Sequence, residues 1–224
     1  MITRILPGQS DSALQEAAEL LRCGATVAFP TDTVYGLGAH ALNAEAVHKI
    51  YEAKGRPSDK PLIILICDKT QLDMLAADVP EQAQKLMDAF WPGPLTLVFQ
   101  KKADVVPDYV TRGFETVAVR MPNHPVALNL LKKAEVPVAA PSANLSGNPS
   151  AVNAEQVIKD LDGRIAAVVD GGSCQVGIAS TILDMSGTVP VILRQGSVTK
   201  AQLEAVLGQP VEDGFGSAGK QVKA

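Results

Sequence analysis

Five segments of the chain carry residue types suited to chemistry more than to packing. In AFPTDTVYGLG, residues 28–38, an apolar stretch runs into Pro30, then Thr31, Asp32 and Thr33, then Tyr35 ahead of Gly36 and Gly38. Small oxygen-bearing side chains can hydrogen-bond a polar ligand, and the glycines let backbone approach it. A capped turn is the plainer alternative. In KGRPSDKPL, residues 54–62, Lys54, Arg56 and Lys60 crowd one short stretch. Cations so close repel one another unless an anion sits among them. Phosphate suits an Arg fork combined with Lys point charges. The competing reading is a solvated loop whose cations complement a helix C-terminus. In TVAVRMP, residues 116–122, Arg120 closes an apolar strand, either at the sheet rim where α/β sites gather or on open surface. APSANLSGNPS, residues 140–150, is a polar loop after apolar Val136–Ala140 and carries Ser142, Asn144, Ser146, Asn148 and Ser150. The last region holds DGG (170–172), IASTILD (178–184) and ILRQG (192–196). There Ser180 and Thr181 open a strand, and Arg194 closes the next.

Other chemistries lack their residues. His40, His48 and His124 make neither an HExxH nor a finger pattern, so no built-in metal site is expected. There is no GxGxxG, no Walker loop and no GxSxG elbow, and no Cys–His–acid set points to covalent catalysis. Thr, Ser, Asn, Lys and Arg suit electrostatic stabilisation of phosphates better than acid–base work.

The elements that must hold these segments alternate along the chain. Helices are expected at 11–23, 43–54, 72–76, 80–90, 124–133, 153–161 and 199–207, from apolar stripes with Ser, Asn or Thr caps and closing glycines. Strands are expected at 26–29, 62–67, 95–100, 116–120, 136–140, 166–169, 181–184 and 191–193, the last two forming a hairpin around Ser186-Gly187. The continuous apolar run Leu62–Cys67 reads as a strand covered on both faces. This gives an α/β (α+β) domain over residues 1–208, with a mixed sheet of about seven to eight strands and flanking helices. Residues 209–224 have three glycines and little apolar periodicity, and read as a flexible C-terminal tail.

The chain has 224 residues, 46% of them hydrophobic and 20% charged, enough to bury a core without disulfides or metal. Net charge is −4 and aromatics make up 4%, which argues against a protein that coats nucleic acid or stacks single strands. Cys23, Cys67 and Cys174 are far apart and odd in number, which suits a reduced, cytoplasmic protein. No apolar run approaches a membrane span, and the first residues lack a signal-peptide core.

Taken in order, PTDTVYGLG, KGRP with KPL, VAVRMP, PSAN-x-SG, STI and ILRQG resemble the YrdC-like family of single-domain L-threonylcarbamoyladenylate synthases, TsaC-type in bacteria, from about residue 10 to residue 207. The resemblance implies a twisted mixed sheet with a deep concave cavity. It implies an ATP-using nucleotidyltransferase that makes L-threonylcarbamoyladenylate from L-threonine, bicarbonate or CO2 and ATP, with release of pyrophosphate. Mg2+ would arrive with ATP. Other proteins would then transfer the group to adenosine 37 of ANN-decoding tRNAs, giving t6A. Residue by residue, Lys54 and Arg56 match the catalytic cations. Arg56, Lys60, Thr116, Ser142, Asn144, Ser150 and Arg194 match ATP contacts. Thr33, Tyr35, Arg120, Ala140 and Ser180 match L-threonine contacts, with Arg120 on the carboxylate and Ala140 acting through its backbone. Leu65 stands where many relatives carry a His that helps hold threonine. A double-stranded RNA or ribosome-associated binding module is the alternative from another class, and possible tRNA contact belongs with it.

Overall fold

The computed structural model describes residues 2–214. The strands are β1 (Arg4–Pro7), β2 (Val27–Phe29), β3 (Gly36–His40), β4 (Ile63–Leu65), β5 (Leu95–Gln100), β6 (Thr116–Arg120), β7 (Val138–Ala139), β8 (Ala167–Asp170), β9 (Thr181–Asp184), β10 (Val191–Arg194) and β11 (Glu212–Asp213). The α-helices are α1 (Asp11–Arg22), α2 (Ala44–Lys54), α3 (Leu72–Leu75), α4 (Glu81–Phe90), α5 (Asp108–Thr111), α6 (Pro125–Ala134), α7 (Ala154–Leu161) and α8 (Lys200–Leu207).

Helices begin where the sequence supplies caps. The side chains of Ser10, Asn43, Asn153 and Thr199 each accept a backbone N–H of the first turn, opening α1, α2, α7 and α8. Gly55 and Gly208 close α2 and α8 in the left-handed conformation that glycine adopts without strain.

The described strands form one mixed sheet in the order β1-β8-β2-β3-β7-β4-β6-β5-β9-β10-β11. Its core lies on both faces. On one, α1 and α6 pack together, and Leu14, Leu21 and Leu130 meet Phe29, Leu65, Val138 and Val169. On the other, Ile50, Leu86 and Val157 meet Leu37, Ile64, Leu97 and Phe99. Leu65 and Ile64 thus belong to opposite layers, as expected for a strand covered on both sides. Leu21 and Leu97 are fully buried, and cutting either to Ala removes packing worth about 2–5 kcal/mol.

The expected β9–β10 hairpin forms, with Val191 opposite Asp184 and Ile192 opposite Leu183. Among the described residues the sheet has 11 strands, more than the count expected from sequence. The additions are β1, β3 and β11. β3 lies inside the glycine-rich motif at 28–38, and Gly38 serves packing there: a Cβ would come within 2.6 Å of Phe29 and 2.9 Å of Val138. β11 corrects part of the expected tail. Residues 209–214 continue the sheet, with β11 parallel to β10. Val211 is 2% exposed, and its amide donates to Glu204 Oε1 at 3.0 Å. A buried valine, main-chain pairing and bonds from Gln82 to Gln209 and from Lys200 to Asp213 dock this segment, and none leaves a periodic signature. The remainder of the expected tail, residues 215–224, lies outside the described residues.

Candidate active site

Strand ends converge on one cavity. The loop after β2 supplies Thr31, Thr33, Val34 and Tyr35, and the end of β6 supplies Arg120. The loop after β7 brings Ala140, Pro141, Ser142 and Ser150. Ala179 and Ser180 precede β9, and Arg194 ends β10. The loop after α2 adds Arg56 and Pro61, while Ile63 and Leu65 come from β4. The cavity measures about 160 Å³. β4 and β6 run parallel with Leu65 beside Arg120, so an apolar side chain and a guanidinium share one end of it.

Arg120 is held on every nitrogen. Nε donates to the Gly93 carbonyl at 3.0 Å, Nη1 to Thr33 Oγ1 at 2.8 Å and Nη2 to Asp32 Oδ1 at 2.5 Å. A guanidinium has five N–H groups, so one remains on each terminal nitrogen. Burial lowers the Arg120 pKa, and the Asp32 carboxylate opposes that shift.

Thr31 Oγ1 donates its one proton to the Val34 carbonyl at 2.7 Å and accepts from the Thr33 and Val34 amides at 3.2 and 3.3 Å, so its hydrogen-bonding capacity is filled. Thr33 Oγ1 lies 3.0 Å from it and accepts from Arg120. With one lone pair taken by Arg120, Thr33 Oγ1 keeps one that can accept from a ligand. This end of the cavity thus pairs donors on Arg120 with an acceptor on Thr33.

Arg194 Nε and Nη2 donate to the Ser180 carbonyl at 3.1 and 2.9 Å, and Nη2 also reaches Ser180 Oγ at 3.1 Å. Ser180 Oγ in turn bonds Thr96 Oγ1 at 2.8 Å. The close passage of residues 194–196 past β9 requires Gly196, since a Cβ would lie 2.3 Å from the Thr181 nitrogen. Burial first, then the nearby Arg120 and Arg56, lower the Arg194 pKa to about 10. Arg56 Nη2 donates to the Pro61 carbonyl at 3.0 Å, while its Nε is buried without a partner. Burial is also the main cause of the lowered Arg56 pKa.

The residues singled out from sequence divide in two. Thr33, Tyr35, Arg56, Arg120, Ala140, Ser142, Ser150, Ser180 and Arg194 line the cavity. Lys54, Lys60, Thr116 and Asn144 do not. Lys54 is 2% exposed and turns under the loop after β7, where Nζ donates to the Ser142 and Asn144 carbonyls at 2.5 Å each. Burial, and then the charge of Arg56, depress its pKa from 10.5 to about 7. Asn144 Nδ2 donates to the Leu145 and Asn148 carbonyls at 2.8 and 2.9 Å, so it braces the same loop, and its Oδ1 is buried without a partner. Lys60 stands next to Pro61. Thr116 lines a small apolar cavity that shares Pro61 and Ile63 with the first. The Tyr35 hydroxyl is already engaged: it donates to the Gly172 carbonyl at 2.8 Å and accepts from the Gly171 amide at 3.3 Å. Burial pushes its pKa up. Asp32, which the sequence groups with the two threonines as a contact for a polar ligand, does not line the cavity and pairs with Arg120 instead.

A mixed sheet whose strand ends gather guanidinium groups and hydroxyls around one cavity defines an α/β protein with a cationic cleft. The chain belongs to the Sua5/YciO/YrdC family, whose model, described as "Telomere recombination", matches residues 19–196. It is 56% identical over 199 residues to the threonylcarbamoyl-AMP synthase of Bacillus subtilis, covering 89% of this chain and 58% of that protein. It is 38% identical over 210 residues to a putative threonylcarbamoyl-AMP synthase of Mycobacterium tuberculosis, covering 94% and 96%. A crystal structure of Pyrococcus abyssi Sua5 complexed with L-threonine matches with a TM-score of 0.93 and 45% identity, over 100% of this chain and 66% of that one. The chain therefore spans little more than half of the Bacillus protein and nearly all of the Mycobacterium one. Among the described residues, no helix is long and apolar enough to cross a membrane.

Proposed function

We propose that the chain is an L-threonylcarbamoyladenylate synthase, joining L-threonine, CO2 or bicarbonate, and ATP, and releasing pyrophosphate. The observation that carries this reading is the convergence of Arg56, Arg120 and Arg194 on one cavity whose lining holds no carboxylate. Such a cavity favours a ligand with several negative charges. Substrate carboxylate, carbamate and triphosphate together supply them. The names of the relatives and the threonine complex of the Pyrococcus protein support the same assignment.

In this reading, the two remaining N–H groups of Arg120 take the threonine carboxylate. The acceptor lone pair of Thr33 takes a hydrogen of its amine or hydroxyl. Leu65, Ile63 and Ala140 meet its methyl group. The amine adds to CO2, forming an N–C bond and releasing a proton. A carbamate oxygen then attacks the α-phosphorus as the bond to pyrophosphate breaks. Bringing two anions together is the main difficulty, and oriented cations address it. Arg56 and Arg194 face the phosphates, with Ser142 and Ser150 as hydroxyl donors and Lys60 at the rim. The adenosine end extends toward Thr116. Lys54 and Asn144 act through the loop that presents Ser142.

ATP enters as its Mg2+ complex, the ion riding on the phosphates. Among the described residues, no group of three His, Cys, Asp or Glu side chains could hold a metal ion. The product is an activated carbamate, fit for transfer by cytoplasmic partner proteins to adenosine 37 of ANN-decoding tRNAs. Mass spectrometry after incubation with ATP, Mg2+, bicarbonate and L-threonine tests the reading. Threonylcarbamoyladenylate and pyrophosphate are expected only with threonine present. ATP turnover indifferent to threonine would overturn it.

A further inference from the structure

Asp32 has no part in the reaction described above. Thr31, Thr33 and Arg120 line the cavity, and Asp32 stands behind them. Its Oδ1 accepts from Arg120 Nη2 at 2.5 Å and from the Asn123 amide at 3.0 Å. Its backbone is pinned as well, the carbonyl accepting from the Val176 amide at 3.0 Å. The Arg120 and Asp32 side chains are 7% and 8% exposed. Asp32 Oδ2 is buried and has no partner.

Such a pair is a poor device for stability. Two charges leave water, one carboxylate oxygen finds nothing in return, and buried ion pairs often only break even with apolar replacements. The pair does fix a direction. Arg120 is long and rich in rotamers, and Gly93, Thr33 and Asp32 each anchor one of its nitrogens. Of these anchors only Asp32 is charged, so it makes the strongest of the three bonds.

We propose that Asp32 is a positioning residue for the amino-acid end of the cavity. Without touching the ligand, it locks the Arg120 guanidinium so that the two unused N–H groups point at a ligand carboxylate. The inference rests on the reading of Arg120 as the carboxylate-holding group, and its test separates the two.

The first measurement uses no ligand. In 15N-labelled wild-type protein, with Arg120→Lys to assign the signals, the terminal nitrogens of Arg120 should give resolved resonances, the mark of hindered guanidinium rotation. Asp32→Asn should merge them. A freely rotating Arg120 in the wild type overturns the proposal, and this arm stands even if the variant does not fold. The second measurement is calorimetric titration with L-threonine and, separately, with ATP. Asp32→Asn should weaken threonine binding roughly 10- to 100-fold, the cost of a misplaced contact, and leave ATP binding unchanged. Asp32→Glu, which keeps the carboxylate, should restore most of the loss. Unaltered threonine binding in Asp32→Asn, or equal losses for both ligands, overturns the positioning role. If Arg120 is locked by Asp32 and yet the wild type ignores threonine, the positioning role stands and the substrate reading fails.

Discussion

Replacing Arg56 by Ala separates a phosphate-holding cation from one that merely decorates a helix end. In the folded chain, the Arg56 side chain donates to the Pro61 carbonyl at 3.0 Å and leaves its Nε buried and unpaired. Losing that bond costs about 1.5–3 kcal/mol for a charged donor. Against this, the substitution removes a buried charge that lowers the pKa of both Lys54 and Arg194. The two effects oppose each other, so the stability of the free protein should change by no more than about 1–2 kcal/mol. The functional loss is larger. A preorganised charge at a phosphoryl-transfer centre contributes roughly 100-fold or more, about 3 kcal/mol. Ligand-shifted melting reads separately how far the same charge holds ATP in the ground state. At ATP one hundred times its Kd, stabilisation is about 2.7 kcal/mol, and it falls to about 0.4 kcal/mol when affinity drops 100-fold. For a chain of this size, about 2–4 °C accompanies each kcal/mol. The ATP-induced shift should thus fall from about 5–11 °C to about 1 °C in Arg56→Ala. Arg56→Lys should recover part of it, since a point charge does not replace a fork. The assay is threonine-dependent pyrophosphate release beside melts with and without ATP. Near wild-type turnover together with an undiminished ATP shift would refute the phosphate role of this loop.

Three further outcomes are expected. Lys54 has a folded-state pKa of about 7 against 10.5 unfolded, so the unfolded chain binds more protons between those values. Wild-type stability should therefore gain a positive contribution as pH rises through that window, absent in Lys54→Met, and parallel pH slopes in urea melts at pH 7–10 would refute it. L-Serine lacks the methyl group that faces Leu65, Ile63 and Ala140, so its kcat/KM should be roughly 10- to 200-fold below that of L-threonine. Equal values would refute the placement of that methyl. A chain ending at Gln209 loses the buried Val211 and β11, and should be about 1.5–3 kcal/mol less stable, or roughly 3–12 °C lower in Tm; an unchanged melt would show that this docking contributes nothing.

Much of this arrangement was legible as types and order. The cap residues placed α1, α2, α7 and α8, and strand-end Arg120 and Arg194 reach the rim because an apolar run leads into each. What stayed hidden depends on pairings across long stretches of chain. Asp32 meets Arg120 across 88 positions, and no local pattern distinguishes that Asp from a turn-capping one. Lys54 and Arg56 share one short motif, yet α2 ends between them at Gly55, in the left-handed conformation, and the chain turns there. One cation goes under the loop after β7 and the other goes into the cavity. Spacing alone fits either assignment. The strand at 212–213 rests on main-chain pairing, a buried valine and the bond from Lys200 to Asp213, which composition cannot report.

Crowded cations in the sequence point to an anion, on the premise that they otherwise repel. The folded chain meets that repulsion in another way. Carbonyl oxygens take Lys54 (Ser142 and Asn144), Arg194 (Ser180) and Arg56 (Pro61), and Asp32 takes Arg120. Each cation is thereby anchored on its protein side. Crowding alone would therefore not require a ligand. The stronger sign is direction: Arg56, Arg120 and Arg194 each have a protein anchor and still border one cavity, beside a Thr33 hydroxyl that keeps a free lone pair. A set of groups arranged to satisfy itself would not leave donors and an acceptor facing the same empty space, because unpaired polar groups at a cavity wall bring no stability. In the proposed function, that residual pattern, donors for a carboxylate and phosphates beside a lone pair for an N–H or O–H, favours an amino acid joined to a nucleotide over a simple polyanion.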